Sequence, residues 1–367
     1  MKAGKLVTPT RGVDAVGRAA RTDSCLANED ATRGFEVDSD TRLKPGNDLP
    51  PPKRPKARAR NPSRFSPIFV LATARSYSSV VVTMIGQHPE LAGLPELKLF
   101  CYRTVRELEA SLPQFWIERG ITHRSPGLVR ALAEFEFGSQ TVESLSMARS
   151  WLHDRLHWSG ADVLDVLLSR LSPRSAVEKS PENVLSDAAL KRMSKAYPKA
   201  RYLHLTRHPV TTQRSVEDHW RRTVSSRPRN GEPMSTIGSW YDTHRRILNF
   251  SLTLPPHRYM RVRAEDVLND KAAQLRAIAC WLGLRCDDEA IESMKHPEAS
   301  PFASFGPEES GIVGGHDHGF LRDPVPHCVE VPRSLTPPEG WSAPPSIWRM
   351  VSDLANRLGY FDEGQDS

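Results

Sequence analysis

The stretch SPIFVLATARSYSSVVVTMIGQHPELAGLPELKLF, residues 66–100, decides how the chain reads. It opens with PIFVLA at residues 67–72, a short apolar run that predicts a buried strand. A polar loop, Arg75-Ser76-Tyr77-Ser78-Ser79, comes next, followed by Val80, Val81, Val82 and Thr83. Branched side chains favour strand over helix on propensity alone. A second strand, however, gives no reason for the loop's composition, whereas a helix beginning near Ser76 does. The first turn of a helix leaves backbone N–H groups free at the positive end of its dipole, which suits an anion. Ser76, Ser78 and Ser79 add hydroxyl donors and Arg75 adds a fixed charge, so the loop reads as a phosphate site. It is not a Walker loop, because G-x-x-x-x-G-K-[ST] is missing, and no G-x-G-x-x-G follows a predicted strand.

Outward from this stretch, SAVEKS (175–180), RYLHLT (201–206) and RYMRVR (258–263) read as further strands, separated by segments of helical period. Strands alternating with helices predict an α/β fold, a parallel β-sheet flanked by helices. Residues 103–170 hold only helical patterns, such as VRALAEFEFG and DVLDVLLSRL, and predict a helical insertion able to roof a site at the strand ends. DKAAQLRAIACWLGL (270–284) predicts a helix that buries Leu275, Ile278, Ala279 and Leu282 and stops at Gly283. SIWRMVSDLANRLGY predicts a last helix, and the Gly-rich SGIVGGHDHGFLRDP (310–324) a loop that covers a ligand.

The net charge of +6 belongs to one end of the chain: residues 1–66 carry 14 basic and 8 acidic side chains, and the remainder is balanced. Residues 1–63 are poor in aromatic residues and end in a Pro-, Lys- and Arg-rich run, which predicts a disordered basic tail before a single domain at 64–367. Its basic cluster at 53–60 suits docking to a polyanion or partner, but a solvated linker is the simpler reading, and no nucleic-acid partner is expected. No apolar run is long enough for a membrane span and no secretion signal is visible, so a cytoplasmic location is expected. The five cysteines, Cys25, Cys101, Cys280, Cys286 and Cys328, form no C-x-x-C pair and are expected to be reduced thiols. His316 and His318 lack an obvious third ligand, so no metal is expected. His88, His204, His208 and His219 read as structural, and Trp116, Trp151 and Trp158 as core.

One further stretch repeats the logic of the first. In YLHLTRHPVTTQRSVEDHW, Arg207 stands at a strand's end and Ser215 lies eight residues on, along the next helix. Together with ARSYSS this resembles the sulfotransferases that use 3′-phosphoadenosine 5′-phosphosulfate, PAPS. In that family Lys or Arg followed by Ser-Gly-[ST]-[ST] binds the 5′-phosphosulfate, and an Arg with a Ser eight residues later binds the 3′-phosphate. The resemblance implies a P-loop-like sulfotransferase fold, PAPS as sulfuryl donor, and a cofactor site of Arg75, Ser76, Tyr77, Ser78, Ser79, Arg207 and Ser215. IGQHPELAGLPELKLF is similar to the matching stretch of tyrosylprotein sulfotransferases and of bacterial polyketide-associated sulfotransferases, which implies Glu96 as catalytic base. VEKSPENV (177–184) resembles the segment whose lysine steadies the transferring group, so Lys179 takes that role beside Arg75. RVRAEDVLND with CWLGL resembles the family's late strand and helix end, and GGHDHGFLRDP its closing loop.

The implied acceptor is a hydroxyl compound, a small natural product or a hydroxyacyl chain on a carrier protein. Tyr77 stands where the family has glycine, a residue that tolerates positive φ and close backbone approach. The expectation is that Tyr77 keeps an ordinary backbone with its ring turned outward, or else alters the pocket. Two other readings stay open: a nucleotide-dependent phosphotransferase, and a non-catalytic nucleotide-binding or scaffold protein.

Overall fold

A computed structural model describes residues 65–112, 123–223, 233–337 and 344–361. The tail at 1–63 and Trp116 lie outside the described residues. Five strands, all parallel, form one sheet in the order β2-β3-β1-β4-β5: β1 Ile68–Leu71, β2 Leu91–Gly93, β3 Ser175–Glu178, β4 Arg201–Thr206 and β5 Tyr259–Arg263. The four strands expected from the sequence are therefore present, and β2 is an addition. It has only three residues and no β-branched side chain, too little for a periodic signal.

β1 explains its own composition. Phe69 and Leu71 pack into one hydrophobic cluster, and Ile68 and Val70 into another on the opposite face, so every residue of the strand is buried. A strand covered on both sides reads as an unbroken apolar run.

Helix α1, Ser78–Gly86, follows β1 as the loop chemistry requires, beginning at Ser78 rather than Ser76. Burial overrides the strand propensity of its valines: Val81, Val82, Met84 and Ile85 are fully enclosed. α1 also runs tightly against β2, since a Cβ on Gly86 would lie 2.3 Å from the Gly93 Cα.

The insertion between β2 and β3 supplies α2 (Val105–Ala110), α3 (Pro126–Phe137), α4 (Val142–His153) and α5 (Gly160–Leu171), with no strand among its described residues. Trp151 and Trp158 meet edge to face against the core there. Beyond β3 come α6 (Asp187–Ala196), α7 (Pro209–Thr223), α8 (Pro233–Ser251), α9 (Ala264–Asn269), α10 (Lys271–Leu282), α11 (Asp288–Ser293), α12 (His318–Arg322) and the last helix α13 (Pro345–Arg357). α10 buries the four apolar residues expected of it and ends at Gly283, φ +67°. The thiol expectation needs correction: Cys280 and Cys286 are joined as a disulfide, with Cα atoms 5.9 Å apart, while Cys101 and Cys328 are free.

The strand order places the site. From β1 the chain moves toward β2, and from β4 toward β5, so adjacent strands β1 and β4 send their connections opposite ways. A crevice opens at the carboxyl ends of such strands, where α/β sheets take ligands. Register sets Leu71 beside His204 and Phe69 beside Glu178, which brings the loops after β1, β3 and β4 together.

Candidate active site

The loop after β1 is held in shape by its own side chains. Ser76 is fully buried and its hydroxyl donates to the Thr73 carbonyl at 2.9 Å. With that proton committed, the Thr73 hydroxyl is the donor in the 2.5 Å contact between the two. The Ser76 side chain thus braces the loop and leaves its backbone as the group able to face a ligand.

Arg75 and Tyr77 both adopt left-handed backbone, φ 64° and 57°. This corrects the expectation for Tyr77. It takes the positive φ of the glycine it replaces, and its ring turns inward under the Arg207 guanidinium, 3.8 Å from ring centroid to Cζ. Left-handed backbone costs an ordinary residue roughly 1–2 kcal/mol, and a cation over a ring returns about 0.5–2 kcal/mol. The Tyr77 carbonyl then accepts the Val81 N–H, opening α1. The N-terminus of α1 has no side-chain cap and no acid in its first turn. Its free donors face the crevice.

Lys179 follows β3 directly and is 1% exposed. Its ammonium donates to Ser79 Oγ at 3.2 Å and to Glu96 Oε1 at 2.5 Å, tying the loop after β1 to the expected base. Glu96 is fixed by its backbone: its N–H donates to the Gly315 carbonyl at 2.8 Å, and its carbonyl accepts the Ser125 hydroxyl at 3.0 Å. Ser125 also reaches the Leu97 carbonyl and caps α3 through the Leu128 N–H. Burial pushes the Glu96 carboxyl up, but the charges of Lys179, Lys98 and Arg75 outweigh it and hold the group below its ordinary range.

Behind this pair lies a group that the sequence reading passed over. Glu178 is buried at the end of β3 and accepts from the Leu97 N–H, the Ser180 hydroxyl and Asn183 Nδ2. Ser180 in turn accepts the Lys98 N–H at 2.8 Å, and Lys98, at φ 57°, pairs with Glu182 at 2.7 Å. Burial drives the Glu178 carboxyl up to about 7 despite these donors. Its only sequence signal is an acid placed next to lysine within an otherwise apolar strand.

On the other side, Arg207 is 8% exposed and donates to the Arg75 carbonyl at 2.7 Å and to Thr211 Oγ1 at 3.1 Å. Its carbonyl accepts Trp240 Nε1, and the next backbone N–H, that of His208, donates to Glu265. Glu265 is held by the Tyr360 hydroxyl. Ser215 sits one helix face along, where Arg75 Nε donates to it at 3.2 Å. Asp317, from the Gly-rich loop, forms an ion pair with Arg75 and gives its N–H to Ser79 Oγ at 3.0 Å.

Every residue singled out from the sequence for binding or catalysis lines one cleft of about 1280 Å³, and the Gly-rich loop forms part of its wall. Glu178 and Asp317 are the participants not foreseen. His204 and His244 are bonded to each other at 2.8 Å in the interior, and His208 is also buried. Among the described residues no three His, Cys, Asp or Glu side chains are grouped to hold a metal ion, and no helix is long and apolar enough to cross a membrane.

The comparisons agree with this architecture. No curated protein sequence matches the chain. The sulfotransferase domain from the curacin biosynthetic pathway superposes with a TM-score of 0.62 at 22% identity, covering 81% of this chain and 98% of that one. The sulfotransferase domain of the Synechococcus PCC 7002 olefin synthase gives 0.59 at 24% identity, covering 82% and 98%. Residues 67–288, from the first strand through α10, match the sequence model of the Sulfotransferase family. The match spans more than half of the chain and takes in both the loop after β1 and the Arg207 turn, and on it the chain belongs to the sulfotransferase family.

Proposed function

We propose that the protein transfers a sulfuryl group from PAPS to a hydroxyl acceptor, with Glu96 as base. The observation that carries this reading is Lys179, whose ammonium touches both the phosphate loop at Ser79 and the carboxylate of Glu96. A cation shared between an anion site and a base suits a reaction in which negative charge builds next to the point of proton removal. PAPS supplies a sulfuryl group on an oxygen shared with phosphate. The uncapped start of α1, the inward loop and three cationic side chains fit such a polyanion.

In this reading the N–H groups of the first turn of α1, with Ser78 and Ser79, hold the 5′-phosphate, and Arg207 with Ser215 holds the 3′-phosphate. Arg75, bonded to Ser215 and lying above the Arg207 guanidinium through its own carbonyl, links the two ends. Sulfuryl transfer resembles phosphoryl transfer in needing mostly positioning and charge stabilisation. Glu96, ionised at neutral pH, takes the proton of the acceptor hydroxyl, and Lys179 stabilises charge at the leaving oxygen. The family of the two structural neighbours, one from a biosynthetic pathway and one from an olefin synthase, favours a natural product or a carrier-bound hydroxyacyl chain as acceptor.

Calorimetry with 3′-phosphoadenosine 5′-phosphate, PAP, tests the donor site. The expected result is binding that adenosine 5′-phosphate does not match and that Arg207→Ala weakens by roughly 10- to 100-fold, as loss of a charge-assisted bond implies. Absence of PAP binding to the wild-type protein overturns the reading.

A further inference from the structure

The cations of the phosphate loop are neutralised by the chain itself. Lys179 is paired with Glu96, and Arg75 with Asp317. The Arg207 side differs, since its guanidinium donates to a carbonyl and a hydroxyl. We infer that Asp317 is a built-in counter-anion of the donor site: its carboxylate holds, on Arg75, the electrostatic place of the donor's 5′ anionic end, and donor binding displaces it. The inference rests on the donor reading above and adds a regulation to it.

The loop is constructed for this. Its root is immobile: the Gly315 carbonyl accepts the Glu96 N–H, and the Gly314 carbonyl accepts buried Arg130 at 2.5 Å. Arg130 also binds the carbonyls of Ser304 and Pro301, so α3 staples the segment that leads to the loop. Gly314 and Gly315, at φ +97° and +105°, use backbone that favours glycine, and a Cβ on Gly315 would meet the Gly127 Cα at 2.8 Å.

Two residues beyond this root, Asp317 divides its carboxylate. Oδ1 caps α12 by accepting the Gly319 N–H at 3.0 Å, and Oδ2 faces Arg75. Displacing the ion pair therefore leaves the cap in place. Both partners are partly exposed, 23% and 31%, and such pairs are weak enough for a multivalent anion to replace. The Asp317 N–H also donates to Ser79 Oγ, so the loop touches both Arg75 and Ser79, two residues of the proposed donor site.

Asp317→Asn tests this, because asparagine also caps helices while removing the charge. Calorimetry on the full chain compares PAP with adenosine 3′-phosphate, which lacks the 5′ anion. The expected result is PAP binding about two- to fivefold tighter in the variant, the range a partly exposed ion pair can supply, with adenosine 3′-phosphate unchanged. Equal or weaker PAP binding in the variant overturns the inference and leaves Asp317 as a support for Arg75. If neither protein binds PAP, the donor reading fails and the inference falls with it, whereas PAP binding that is equal in both proteins overturns the inference alone.

Discussion

The two strand-to-helix turns that meet in the crevice solve one problem in opposite ways. After β1, the chain takes two residues of left-handed backbone, leaves α1 uncapped, and sets its cations against its own carboxylates. After β4, it passes almost directly into α7, with Pro209 at the first helical position and the His208 N–H satisfied by Glu265. The first turn offers backbone donors at a strained, electrostatically balanced surface. The second offers one buried guanidinium on a relaxed frame. In the proposed reading both turns hold the donor, the first at its 5′ end beside Glu96 and Lys179 and the second at its 3′-phosphate.

Variants can tell the two turns apart. Glu96→Gln removes the proposed base and leaves the proposed phosphate contacts, so transfer should fall by about 10²- to 10⁴-fold, the usual worth of general base catalysis, with PAP affinity nearly unchanged. Arg207→Ala should do the reverse, weakening PAP first. A parallel loss of rate and binding in both variants would erase the distinction. Because cations hold the Glu96 carboxyl below its ordinary range, the wild-type rate should keep its base in working form down to mildly acidic pH. Its acid limb should lie below that of an unperturbed glutamate.

A smaller effect sharpens the contrast from behind the first turn. Glu178 ionises at about 7 when folded and near 4.3 when unfolded. Folded protein thus holds a proton that unfolded chain has released between these values. Stability from this group is full below the lower value and is lost as pH rises through the upper one, by up to roughly 3 kcal/mol. Glu265, also raised by burial, acts in the same direction. Urea unfolding at pH 5 and pH 8 measures the drop, and Glu178→Gln should flatten it. An equal slope in both proteins removes Glu178 from the account.

The smallest expected effect concerns strain in the first turn. Tyr77→Ala loses the ring over Arg207 and keeps the left-handed backbone, whereas Tyr77→Gly loses the ring and relaxes the backbone. The glycine variant should be the more stable of the two by about 1 kcal/mol. Equal stabilities would mean that the turn carries no strain.

Much of this was legible in the sequence because it rests on local chemistry. The strands at residues 67–72 and 201–206 are apolar runs followed by an arginine-bearing turn, and the helical assignment of Val80, Val81 and Val82 came from asking what their preceding loop was for. What escaped depends on contacts distant along the chain. Asp317 becomes part of the site only through folding of the Gly-rich loop onto Arg75. Glu178 looks like any strand-end acid until Leu97, Ser180 and Asn183 close around it. Tyr77 departs from its backbone preference because the guanidinium stacked on its ring comes from Arg207, far along the chain. β2 was too short to show a period, and Cys280 and Cys286 pair across a turn that carries no spacing signature.

Ser125 carries a consequence for how such an enzyme can change. One hydroxyl begins the first long helix of the insertion and grips the carbonyls of Glu96 and Leu97. The insertion is thereby fastened to the loop that carries Glu96, and its helices share one hydrophobic core with β1 and β3, so a change in the insertion that shifts Ser125 is felt at Glu96.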